Sequence, residues 1–136
     1  MASILRVNTL TDASSNNSIA TSFIAGGSAK CNVKFNATSL SGTGTTGVSH
    51  SFNLTSITDD GTGIHTLNIA SDMSDGDYTV VCSANSDYTS GGIGLYAGVT
   101  PDNPAMAGGN CIVITRRNDA RADSNYFGVT IHGDLA

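Results

Sequence analysis

The chain contains no Glu, no Gln and no Trp, and Lys30 and Lys34 are its only lysines. The long charged residues that favour helices are therefore almost missing, while β-branched residues abound, which argues against a helical fold and for short strands. Without Glu, eleven Asp supply every side-chain carboxylate. Nearly all of them sit in turn-like contexts, so no paired-carboxylate constellation for glycoside hydrolysis can be assembled and no enzymatic activity is expected. Basic charge is scarce as well. Six Lys and Arg against eleven Asp leave a net charge of −5, which lacks the electrostatic footprint of a nucleic-acid binder. Arg116, Arg117 and Arg121 cluster, and read as a solvated strand end.

Further absences narrow the function classes. No G-x-S-x-G elbow occurs, and the glycine-rich GTGTTG lacks the lysine and following helix of a phosphate loop. Cys31, Cys82 and Cys111 lie far apart without C-x-x-C spacing, so a metal knuckle is not supported. Each falls in a β-patterned run and reads as a reduced core thiol, with a bridge between two sheets left open. No run approaches the length of a membrane span, and no membrane insertion is expected. The N-terminal MASILRVNTLTD has neither a long apolar core nor a small-residue cleavage pattern, so synthesis in a cytoplasm is expected, with no secretory route to use the sequons at Asn16, Asn36 and Asn53.

What is present is organised around Ser51 to Ile69. Two alternating runs flank Asp59-Asp60-Gly61-Thr62-Gly63, the residue types a hairpin connection uses. The alternation puts Phe52 and Leu54 on one face of the first run, and His65, Leu67 and Ile69 on one face of the second. These are expected in a core, with Asn53, Thr66 and Asn68 outward and available for contacts between subunits.

The rest of the chain repeats this style. Residues 1 to 27 read as a separate N-terminal arm: a strand from Ser3, a polar turn, a second apolar run from Ile19 to Ala25, then a break at Gly26-Gly27. Residues 28 to 136 form the body. Cys31, Val33 and Phe35 share one face of a half-buried strand, with Lys30, Asn32 and Lys34 on the other. Thr38 to Gly47 is a polar loop, ASDMSDGD a polar linker, and Tyr78 to Ala84 a strand with Tyr78, Val80 and Cys82 aligned. After a loop from Asn85 to Ser90, a light strand runs from Ile93 to Val99. Thr100 to Gly109, which holds both prolines, is a long loop. Asn110 to Arg117 aligns Cys111, Val113 and Thr115, and Tyr126 to His132 aligns Phe127, Val129 and Ile131. The expected fold class is all-β: a small antiparallel, jelly-roll-like β-sandwich preceded by the arm.

Candidate chemistry is thin. Asp59-Asp60-Gly61 and Asp72, Asp75 and Asp77 offer oxygen ligands, but their spacing departs from a calcium loop and Asp-Gly is turn chemistry, so neither a metal nor a cofactor is assigned. His65 is expected to be a packed, hydrogen-bonded core histidine, with His50 and His132 near strand ends.

Three stretches, MASILRVNTLTDASSNNSI, the middle from AKCNVKFNATSLSGTG through SFNLTSITDDGTGIHTLNI to MSDGDYTVVCSA, and FGVTIHGDL, together resemble tail-fibre and tail-associated proteins of bacteriophages of cyanobacteria and other marine bacteria. The resemblance covers nearly the whole chain, and the hairpin is its most specific part. It departs at His65, where such modules usually carry Tyr. It also lacks a shaft, since the module follows directly on the arm, which favours a short fibre, a tail or baseplate accessory, or a capsid decoration. The resemblance implies a non-enzymatic virion protein, a homotrimer contacting other tail or capsid proteins. Ile4, Leu5, Val7, Leu10, Ile19 and Phe23 would anchor the arm. Host-surface glycan is a further candidate partner, met by loops carrying Thr43, Thr45, Tyr88, Tyr96, Asp102 and Asn103, where the tyrosines would stack on sugar rings; the alternative is that these are plain solvent loops.

Overall fold

The computed structural model describes residues 7–11, 18–85, 96–99, 106–117 and 120–136. In the arm, Thr9–Thr11 (β1) pairs antiparallel with Ser18–Ala20 (β2), Leu10 opposite Ile19, and the helix Thr21–Gly27 (α1) follows. The body strands are Cys31–Phe35 (β3), Thr43–Gly44 (β4), Val48–Phe52 (β5), Leu54–Gly61 (β6), Ile64–Ile69 (β7), Thr79–Ala84 (β8), Tyr96–Val99 (β9), Met106–Ala107 (β10), Asn110–Arg117 (β11), Ala120–Arg121 (β12) and Phe127–His132 (β13). They form two sheets. One has the order β5-β3-β13-β8; the other runs β10-β11-β7-β6-β4, with β9 and β12 also paired to β11.

The sheets pack as a sandwich because period-two alternation loads one face of each with apolar side chains. Phe35, Val33 and Cys31 on β3 and Phe127, Val129 and Ile131 on β13 meet Ile57, Leu67, Cys111 and Val113 of the opposite sheet, all essentially without solvent contact. Each large apolar side chain contributes roughly 1.5–3 kcal/mol by this burial. Tyr78 closes one end of the core, its hydroxyl donating to the carbonyls of Asn110 (2.6 Å) and Ala107 (3.2 Å). All three cysteines are free thiols, Cys31 and Cys111 fully buried.

The central hairpin is β6–β7, but it does not begin at Ser51. Ser51 and Phe52 end β5 in the four-stranded sheet; at Asn53, with a left-handed φ of 56°, the chain crosses to the other sheet. Phe52, expected inside, is therefore 59 % exposed, while Leu54 packs against the core. A face count does not carry through a residue that changes sheets. Asn53 is the corner: its amide donates to the carbonyls of Lys30 (2.9 Å) and Ser71 (3.0 Å), and its oxygen accepts from the Ser71 N–H (2.7 Å). Thr66 donates to Asp60 (2.6 Å) and Asn68 to Ser56 (3.0 Å), so these expected contact residues are tied into their own hairpin.

Other expectations are corrected. The apolar run from Ile19 is strand only to Ala20; helix α1 then takes Thr21 to Gly27, including the expected break at Gly26-Gly27. A seven-residue apolar run has no periodicity to separate helix from strand. The Thr38 to Gly47 loop contains β4, whose Thr43 hydroxyl lies 3.0 Å from that of Thr58. Met73, inside the polar linker, is 2 % exposed and bridged to Leu135. Met106–Ala107, placed in the long loop, pairs with β11.

Candidate functional site

The outer face of the four-stranded sheet is the most distinctive surface of the body. Residues opposite one another on antiparallel strands share a face. One row across the sheet reads Phe52, Asn32, Thr130 and Val81; the next reads His50, Lys34, Gly128 and Ser83; His132 and Thr79 follow beside the first. Over this face lies an open groove of about 460 Å³, within the size range of small-ligand sites.

Gly128 makes the groove. With no side chain at its centre, the floor is backbone, and a Cβ there would come within 2.7 Å of the Ser83 hydroxyl oxygen. A glycine inside a strand commonly marks a close approach by something else. On the floor beside it Asn32 donates from its amide to the Thr130 hydroxyl at 2.8 Å. Tyr126, placed just before β13, stands at one end with 54 % exposure, the Lys34 ammonium 5.3 Å from its ring centroid, a cation–π distance. Beyond Tyr126 is a second, polar hollow of about 240 Å³, lined by Thr38, Arg117, Asp123 and Asn125. Tyr126 and Asn85 line both hollows, so the tyrosine is a ridge between them.

Charge is sorted on this molecule. None of the four strands of this sheet contains Asp, and their outward positions carry Lys34, His50 and His132. Among the described residues, carboxylates lie instead at the hairpin tip (Asp59, Asp60), at the far end (Asp72, Asp75, Asp77, Asp134), and at Asp123. No ion pair to Lys34 occurs among the described residues.

Interior polar groups are arranged for packing. His65 is fully buried between the edges of Phe35 (5.5 Å between centroids) and Phe127 (6.3 Å). Contrary to expectation it is not hydrogen-bonded: neither ring nitrogen has a partner among the described residues, and the Asp123 carboxylate stands 3.8 Å from Nε2. That carboxylate instead accepts from the Gly63 N–H at 2.7 Å. Burial lowers the His65 pKa from its ordinary value, opposed by the charges of Asp123, Asp59 and Asp60. Desolvation pushes the thiols up, Cys31 and Cys82 to about 11 and Cys111 to about 12, which leaves them poor nucleophiles.

Of the residues expected to face a receptor, Thr43 and Thr45 are exposed but line neither hollow. Tyr96 contributes its backbone to β9 opposite Arg116. Tyr88, Asp102 and Asn103 lie outside the described residues. In the arm, Val7, Leu10 and Ile19 are exposed, Phe23 falls within α1, and Ile4 and Leu5 lie outside the described residues. The groove itself was missed, although its signals are in FGVTIH: a glycine interrupting a strand, next to a tyrosine out of phase with Phe127. No protein-family model, curated protein or solved structure matches this chain.

Proposed function

We propose that the chain is a non-enzymatic structural protein of a phage virion, a short tail fibre or tail or baseplate accessory. Its arm attaches to the particle, the sandwich faces outward, and the assembled form is a homotrimer. The observation that carries this reading is the arm. Among the described residues it contributes nothing to the core, whose first buried member is Cys31, yet it presents Val7, Leu10, Ile19 and Ile24 to solvent at 39–45 % exposure. A two-stranded hairpin of this size is marginal alone in water and gains stability by docking on something else. The stretches that resemble phage tail proteins also fall on the framework: β1 and β2 in the arm, β3, the β6–β7 hairpin and β8 in the middle, and β13 at the end.

Gold-labelled antibodies against the purified chain, applied to phage particles, test this. Labelling of the tail is expected. Labelling over the capsid would favour the second reading, a decoration protein sharing the same arm and sandwich, and particles without the chain would overturn both.

A further inference from the structure

Three properties of the groove coincide. Its walls are neutral hydrogen-bonding groups, Asn32, Thr130, Ser83 and Asn85, of the kind that match sugar hydroxyls. An exposed tyrosine ring closes one end, and apolar Val81, 57 % exposed, lines the other. Among the described residues Lys34 is the only charged one lining it, in a chain where acidic residues outnumber basic ones.

We propose that this face binds an acidic saccharide, with a carboxylated sugar over Gly128 and the adjoining sugar stacked at Tyr126. A sugar ring has apolar C–H faces and a hydroxyl rim. The first suits the tyrosine ring and Val81, the second suits the amides and hydroxyls. The carboxylate accounts for Lys34, whose ammonium forms a charge-assisted hydrogen bond to it. The second hollow across Tyr126 then receives the next residue of the chain of sugars. A nucleic acid would satisfy the ring and the lysine too, but a net charge of −5 opposes a long polyanion. A neutral saccharide would leave the Lys34 ammonium, which has no ion pair among the described residues, without an anionic partner.

This inference rests on the sandwich facing outward to a cell surface, and names both the place and the chemistry of the contact. The full chain is applied to immobilised oligosaccharides in three groups: uronic-acid-containing, sialic-acid-containing and neutral hexose. Binding is expected in a carboxylated group and not in the neutral one. Tyr126→Ala should weaken it about tenfold or more, as loss of a stacking platform does. Lys34→Met should weaken it comparably and remove its salt dependence. Thr45→Ala should change nothing. Thermal melts of the two groove variants, whose altered side chains are exposed, separate lost binding from lost folding. Binding to neutral sugars alone, carboxylate binding indifferent to both variants, or no saccharide binding would overturn the proposal. A protein that labels the tail yet fails here refutes the sugar site and leaves the virion reading standing.

Discussion

Asn53 holds the crossing between the two sheets, and replacing it tests the whole account of how the sandwich closes. Asn53→Ala removes three hydrogen bonds, to Lys30, to the Ser71 carbonyl and from the Ser71 N–H. The first is half-buried, worth about 1 kcal/mol; the other two are nearer solvent and worth about 0.5 kcal/mol each. Alanine must also adopt the φ of 56°, which asparagine tolerates better by about 1 kcal/mol. The expected loss is about 3 kcal/mol, a fall in Tm of about 10 °C for a domain of this size. Asn53→Gly loses the same bonds, about 2 kcal/mol, without the steric penalty, and the freer unfolded chain adds about 0.5 kcal/mol, so it should cost about 2.5 kcal/mol. Thermal and urea melts of the three proteins measure this. An alanine variant within 2 °C of the parent by this estimate, or one more stable than the glycine variant, would refute the corner role.

Three further outcomes are expected. Because the folded His65 pKa lies below its ordinary 6.5, the unfolded chain takes up that proton first as pH falls; stability is full above about 6.5 and drains below it at up to about 1.4 kcal/mol per pH unit. Urea midpoints at neutral and mildly acidic pH should therefore diverge less in His65→Leu than in the parent, and equal divergence would count against the buried neutral imidazole. Gly63→Ala places a Cβ 2.5 Å from the Thr115 carbonyl oxygen at a φ of 67° and should cost about 3 kcal/mol or more, whereas Gly44→Ala, with open space around it, should be nearly neutral by the same melts. Removing residues 1–27 should leave the body folded with Tm nearly unchanged, since among the described residues no buried core residue precedes Cys31; a truncated chain that fails to fold would place the arm inside the cooperative unit.

The strands that could be read from sequence are those whose alternation runs uninterrupted within one sheet. Cys31, Val33 and Phe35, then Cys111, Val113 and Thr115, then Phe127, Val129 and Ile131 are buried as the pattern implies. Alternation failed at Phe52 because Asn53 resets it, and a polar residue in a left-handed conformation looks like any other asparagine. Met73 was hidden because one apolar plug among Ser and Asp leaves no period to count. The groove was illegible for another reason. Its parts, Asn32, Lys34, Ser83, Tyr126 and Gly128, come from β3, β8, β13 and the residue just before β13, and only strand order brings them together.

Strand order also bears on how this protein is made. β13 lies between β3 and β8 in the four-stranded sheet although it follows both in the chain, and Asn32 meets Thr130 across 98 positions. On the ribosome β3 emerges early and waits for its central neighbour. Until Phe127 to His132 arrives, β3 and β8 each present an unpaired edge and an uncovered apolar face, the conditions under which nascent chains pair with the wrong partner. Folding dominated by such distant pairings is slow. The body can therefore close only once its last strand is available, and β3 and β8 stay exposed until then.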